Sequence, residues 1–170
     1  EYMSKWIQDS SWKRGQGVEA MFAKLLNERA TEARAADLME QFSHVDYVSD
    51  FGKIDVKARK RVARKDDDVQ DDLVWLEFKN VQGKFGWLYG KADWIAFERL
   101  LDFVLVKRHD LALMGEKLCD LGDRVAVGKD ALYKGYQRRG RKDLLSIVKM
   151  TDVLALYHQL WAKDVDTDEH

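Results

Sequence analysis

Residues 45–81 read VDYVSDFGKIDVKARKRVARKDDDVQDDLVWLEFKNV. Three β-type runs, 45–48, 53–62 and 73–81, are separated by the turn Asp50-Phe51-Gly52 and by Asp66-Asp67-Asp68-Val69-Gln70-Asp71-Asp72. Five aspartates in seven residues cannot enter a core or a central strand, so this connection reads as a solvated hairpin loop. Side chains on a strand alternate faces, which places Asp55 and Lys57 opposite Ile54, Val56 and Ala58, and Glu77 and Lys79 opposite Val74, Leu76 and Phe78. Each of these two strands is therefore expected to carry one apolar face and one charged face.

In an antiparallel hairpin the numbers of opposed residues have a constant sum. Pairing Asp55 with Glu77 centres the hairpin on residue 66, at the edge of the Asp-rich loop. Two carboxylates would then face each other on adjacent strands and repel unless a cation held them. Oxygen ligands without His or Cys select a hard divalent ion, Mg²⁺ or Mn²⁺. Such an ion beside a lysine suits phosphodiester hydrolysis, since it polarises the phosphate and lowers the pKa of a bound water while the ammonium stabilises developing charge.

Outward from this stretch, Val18, Met21, Phe22, Leu25 and Leu26 recur at helical spacing after Gly15 and Gly17, with Ala30 and Ala33 extending the stripe. Leu38, Met39 and Phe42 mark a second helix or a bent continuation ending near Ser43. Beyond the triplet of breaks at Gly83, Gly86 and Gly90, residues 92–98 and 101–106 read as strands and 110–118 as a helix. A last helix is expected from Thr151, as N-cap, through Val153, Leu154, Tyr157, Leu160 and Trp161. Residues 164–170 read as a frayed acidic tail. The expected fold class is α/β (α+β), a mixed central sheet with a β-meander flanked by helices, in a single domain over 1–170 with its core at about 17–161.

Composition agrees with one globular domain: 170 residues, 46% hydrophobic and 35% charged. The lone Cys119 excludes a disulfide framework, and no Cys/His cluster suggests structural zinc. No apolar run approaches the roughly 18 residues of a membrane span, and the first residues lack the order of a signal peptide. A cytoplasmic, reducing setting with no membrane partner is expected. A formal net charge of -1 gives no overall pointer to nucleic acid, so distribution has to decide. The bases concentrate in two runs, Lys53, Lys57, Arg59, Lys60, Arg61, Arg64 and Lys65, then Lys134, Arg138, Arg139, Arg141 and Lys142 interleaved with Tyr133 and Tyr136. Lys57, Arg59, Arg61, Arg138, Arg139 and Arg141 are the candidate phosphate contacts, with a solvated surface as the plainer reading.

Asp55 on one strand and Glu77-Phe78-Lys79 on the next, behind a helix that opens Gly17-Val18-Glu19, resemble the PD-(D/E)XK nuclease superfamily with its restriction-endonuclease-like core. In that family a helix precedes a three-stranded meander, the aspartate ends or lies in the second strand, and the acid-x-Lys lies in the third. Residues 81–98 are also similar to small bacteriophage-encoded nucleases of this superfamily. The resemblance implies Asp55 and Glu77 as metal ligands, the Phe78 carbonyl as a further ligand, Lys79 as the catalytic lysine and Glu19 as the helix glutamate added to the site. It implies a Mg²⁺- or Mn²⁺-dependent endonuclease acting on DNA, with homodimers common in the family and the host cytoplasm as location if the protein is phage-encoded. Resolution of Holliday junctions, RNA cleavage, and a catalytically silent nucleic-acid-binding role stay open. So does a second alignment in which Asp55-Val56-Lys57 is the acid-x-Lys and Asp46 or Asp50 the upstream acid. The first alignment is preferred because the strand of Glu77 is more apolar and leaves Asp55 upstream. Without the resemblance, the same residues read as a solvated sheet face with cross-strand ion pairs.

Overall fold

The computed structural model describes residues 2–63 and 68–164. Arg64, Lys65, Asp66 and Asp67, and the tail 165–170, lie outside them. Helix α1, Tyr2–Arg29, is followed by the short strand β1, Ala33–Ala35. Helix α2, Leu38–Phe42, comes next, its start closed by a capping box in which the Asp37 carboxylate accepts the Glu40 N–H and the Glu40 carboxylate accepts the Asp37 N–H. The chain continues through β2 (Tyr47–Ser49), β3 (Gly52–Lys57), β4 (Leu73–Lys79), a 3-10 turn at Trp87–Tyr89, β5 (Trp94–Glu98) and β6 (Asp102–Lys107). It ends with α3 (Arg108–Leu118), β7 (Asp120–Val125), β8 (Lys134–Tyr136), β9 (Leu144–Lys149), α4 (Met150–Leu154) and β10 (His158–Ala162).

The strands form two mixed sheets, one ordered β1-β2-β3-β5-β6-β10 and the other β4-β9-β8-β7, so the fold is α+β. In the first sheet only β3 and β5 run parallel. Parallel neighbours need a crossover, and here the crossover carries β4 off to begin the second sheet.

Alternation along the strands explains the layers. Ile54 and Val56 of β3, Ala96 of β5, and Phe103 and Leu105 of β6 meet the α1 stripe Val18, Phe22, Leu25 and Leu26 on one face of the first sheet. Ile95, Phe97, Val104 and Val106 point to the other face, where Val74, Leu76 and Phe78 of β4 close over them together with Leu111 and Ala112 of α3. The central strands β5 and β6 are thus apolar on both sides. No helix among the described residues is long and apolar enough to cross a membrane.

Four sequence expectations are corrected. Residues 73–79 form a strand that does not pair with β3, because its apolar face is buried by stacking sheet on sheet. The expected hairpin closes only near its tip, at the bridge Lys60↔Gln70. The Asp-rich connection is not wholly solvated: Asp71 accepts the Arg59 Nε–H at 2.6 Å and the Leu100 N–H at 3.0 Å. The last helix ends at Leu154, and Trp161 belongs to β10, where its ring stacks on Phe22 at 5.4 Å and pairing with β6 supplies its backbone partners. β7, β8 and β9 were not expected at all.

Candidate active site

Asp55 is on the face of β3 that turns toward the second sheet, since its parallel partner Ile95 belongs to the core between the sheets. Covered from that side, it is only 3% exposed. Its Oδ1 lies 3.0 Å from Lys57 Nζ, and its Oδ2 is buried with no hydrogen-bond partner among the described residues. Lys57 in turn sits 4.7 Å from the centroid of the Trp87 ring, a cation–π arrangement that holds the ammonium over the site.

Asp46 completes a carboxylate pair. The β2–β3 register ends at Tyr47↔Ile54; the Asp46 N–H also donates to the Ile54 oxygen, at 2.8 Å, and the Asp46 carboxylate comes to lie beside Asp55. The ladder is interrupted at this point, and the Asp46 Oδ2 takes the Val56 N–H at 2.7 Å in place of a backbone oxygen. Burial pushes the Asp55 carboxyl up to about 7; the Lys57 charge opposes this and the Asp46 charge adds to it.

Glu19 approaches from α1. The Tyr47 hydroxyl donates to the Glu19 backbone oxygen at 2.9 Å, tying the helix to β2. The Glu19 carboxyl is raised by burial and then by Asp46, against a lowering by Lys57. The Tyr47 phenol, between the same acids, is pushed up to about 12, chiefly by burial.

A cleft of about 290 Å³ opens between the sheets, with His44, Lys57, Lys60, Glu77 and Trp87 among its walls. His44 sits at φ 62, a strained conformation outside glycine, and its imidazole is lowered by burial and by Lys57, opposed by Glu77 and Asp46. Lys60 is exposed as a residue, yet desolvation lowers its ammonium, followed by repulsion from Lys57. The Lys60 stem lies in solvent while its head turns into the cleft that it lines. Glu98 also lines the cleft but is saturated: Oε1 accepts from the Arg59 N–H at 2.9 Å and from Arg14 at 3.2 Å, and Oε2 from Lys163 at 2.8 Å.

The expected pairing of Asp55 with Glu77 is not formed. Asp55 is opposite Ile95, and Glu77 is opposite Leu145 in the other sheet. Glu77 reaches the cleft from the far wall, with Oε1 accepting the Trp87 N–H at 3.1 Å. The Phe78 carbonyl accepts the Gly86 N–H at 3.0 Å, so it is engaged within the turn. Gly86 packs so closely that a Cβ there would lie 2.4 Å from the Glu77 carbonyl oxygen. Lys79 follows a bulge and is exposed, with no ion pair among the described residues.

Of the candidate phosphate contacts, Lys57 is paired with Asp55, Arg59 with Asp71, and Arg138 with Asp143 at 2.9 Å. Arg61, Arg139 and Arg141 are exposed, and their side chains have no ion pair among the described residues. Of the two tyrosines in the second basic run, the Tyr133 hydroxyl donates to Asp152 and Tyr136 packs against Trp75 at 5.2 Å.

The donor set suits a hard divalent cation through Asp46 and Asp55, whose crowding a cation would relieve, while Glu19 acts on Asp46 from the α1 side of the sheet and makes no third ligand beside Asp55. The described residues contain no ready-made group of three or more His, Cys, Asp or Glu side chains close enough to hold a metal. Glu77 and the Phe78 carbonyl do not join the Asp46–Asp55 pair. Asp46 was readable only as an alternative. His44 and Trp87 carried no signal as site residues. Comparison with family models, curated proteins and solved structures found no match.

Proposed function

We propose that this chain is a divalent-metal-dependent nuclease that hydrolyses phosphodiester bonds in DNA, built on a restriction-endonuclease-like core with Asp55-Val56-Lys57 as its acid-x-Lys element. The observation that carries the reading is the buried Asp55 carboxylate, one oxygen of which has no N–H or O–H donor among the described residues, crowded by the Asp46 carboxylate and with an ammonium at 3.0 Å. The order of elements supports it: helix α1 with Glu19, then a three-stranded meander with Asp46 at the start of the second strand and Asp55 and Lys57 in the third. This is the family pattern moved one strand earlier than the preferred sequence alignment.

Asp46 and Asp55 would hold Mg²⁺ or Mn²⁺, with water filling the remaining positions and Glu19 acting on Asp46 from α1. When bound, the ion supplies Lewis-acid polarisation of the scissile phosphate and a lowered water pKa. The chain's own groups do the rest. Lys57, held over Trp87, presents a fixed positive charge where negative charge develops on the phosphate. Asp46 keeps its orientation through the Val56 N–H. Lys60 lines the approach and supplies positive charge toward an anionic backbone, with the His44 ring beside it as an uncharged hydrogen-bonding group. The single buried Cys119 is compatible with a cytoplasmic setting.

The test is cleavage of duplex DNA, a four-way junction and single-stranded RNA in Mg²⁺ or Mn²⁺, with Asp55→Asn and Lys57→Ala as controls. Wild-type cleavage that disappears in both variants is the expected result. Undiminished cleavage by either variant rejects this site, and the absence of turnover on all three substrates favours a binding role without catalysis.

A further inference from the structure

Beside the cleft, residues 79–85 double back into a braced finger. Lys79 and Phe85 form an antiparallel bridge, the Asn80 N–H donates to the Lys84 oxygen at 2.8 Å, and the Gly83 N–H donates to the Asn80 oxygen at 2.9 Å. The Asn80 side-chain oxygen accepts from the Gln82 and Lys84 N–H groups, each at 3.0 Å. Gly83 takes the φ of 75 that the reversal requires. A finger fixed by its own backbone needs no ligand to order it.

What it presents is an aromatic ring. Phe85 is 76% exposed and rests edge-on against Tyr89 at 5.5 Å, while the Tyr89 hydroxyl donates to Glu116 at 2.7 Å. Gly86 follows it against Glu77, and Trp87 lines the cleft, so Phe85 stands within about 7 Å of the cleft wall by chain geometry. Phe42, 72% exposed, stands in the same sequence relation to His44. Lys79, Lys84 and Lys142 are exposed around the finger, and among the described residues none has an ion-pair partner; a Cβ on Gly83 would touch the Lys142 stem.

A rigid ring with free ammonium groups around it matches one ligand chemistry: a nucleobase face joined to a phosphate. Uninterrupted duplex offers its phosphates to the lysines but keeps its base faces stacked away from Phe85. We propose that Phe85, with Lys79, Lys84 and Lys142, is a stacking platform for an unpaired nucleotide, so that the cleft selects DNA with single-stranded character, such as a flap, bubble or branch, over continuous duplex. This rests on the nuclease reading of the cleft and deepens it by naming the substrate class.

The experiment measures fluorescence anisotropy in EDTA on a labelled duplex, the same duplex with a central unpaired bubble, and an oligo-dT single strand. Phe85→Ala should weaken binding to bubble and single strand about 10-fold, the scale of one lost base–aromatic stack, and change duplex binding less than about 2-fold. Phe85→Trp should bind like the wild type. Equal losses on all three DNAs, no loss on any, no binding by the wild type, or a Phe85→Trp protein as weak as Phe85→Ala overturns the platform. Cleavage of the bubble in Mg²⁺ separates the two readings. Phe85-dependent binding without cleavage retains the platform and rejects the nuclease, whereas cleavage with Phe85-independent binding does the reverse.

Discussion

β3 and β4 carry nearly the same tripeptide, Asp55-Val56-Lys57 and Glu77-Phe78-Lys79, and meet different fates. In β3 the charged pair faces the second sheet, which seals Asp55 from water and presses Lys57 onto Trp87. In β4 the apolar residues point into the same core, so Glu77 looks into the cleft and Lys79 into solvent. Equal chemistry in equal spacing acquires unequal burial and pairing because one strand is central and covered and the other begins a second sheet. The useful signal is therefore what closes over an acid-x-Lys element, more than the element itself.

The sharpest way to break this comparison is activity. In the proposed cleavage reaction Lys57→Ala should lose about 10²–10³-fold in turnover, the range for removing one preorganised charge stabiliser, whereas Lys79→Ala should stay within about 3-fold. Reversal of that order in a gel-based cleavage assay would return the catalytic role to β4.

Next in size is the pH dependence of stability. The Asp55 pKa is raised to about 7 in the folded chain, so its contribution is fully present below its unfolded pKa near 4 and is lost as pH rises through about 7. In EDTA the protein should lose on the order of 3 kcal/mol between pH 4.5 and 8 from this group. Asp55→Asn, which never ionises, should flatten that profile and be more stable than the wild type at pH 8 by urea unfolding. Millimolar Mn²⁺ should recover much of the loss in the wild type alone, because a cation favours the ionised pair. A less stable Asp55→Asn protein at pH 8 would mean that the carboxylate is satisfied in a way the orphaned oxygen does not suggest.

Gly86→Ala probes the wall opposite Asp55. A Cβ 2.4 Å from the Glu77 carbonyl oxygen and 2.7 Å from its Cγ must move β4 or the turn, at a cost of about 1–3 kcal/mol in urea unfolding. The smallest effect is expected at the exposed end of β4, where Lys79→Ala should change stability by less than about 0.5 kcal/mol. A larger loss would show that Lys79 is not the free surface cation its exposure indicates.

Much of the first sheet was legible locally. The stripe Val18, Phe22, Leu25 and Leu26, the turn at 50–52 and the apolar runs of β5 and β6 each carry their period in a short window. β10 was misread because Tyr157, Leu160 and Trp161 also fit helical spacing, and only the open edge of β6 makes a strand there better satisfied. β7 and β8 carry little apolar alternation and are held by pairing with neighbours rather than by their own pattern. At the site, Asp55 and Lys57 could be singled out from residue type and spacing, and Glu19 only through the family resemblance. Asp46 was available only as an alternative, because three-residue β1 was hidden behind the helical reading of 31–43 and the strand count began one strand late.

By itself the sequence determined the alternation that puts Asp55 and Lys57 on one face of a strand and the helix that offers Glu19, since both follow from chain geometry over a few residues. Which carboxylate joins Asp55 was decided only in three dimensions. The apolar face of β4 finds more burial across the core than beside β3, so Glu77 is carried to the opposite wall, and the tight β2–β3 turn leaves Asp46 in its place.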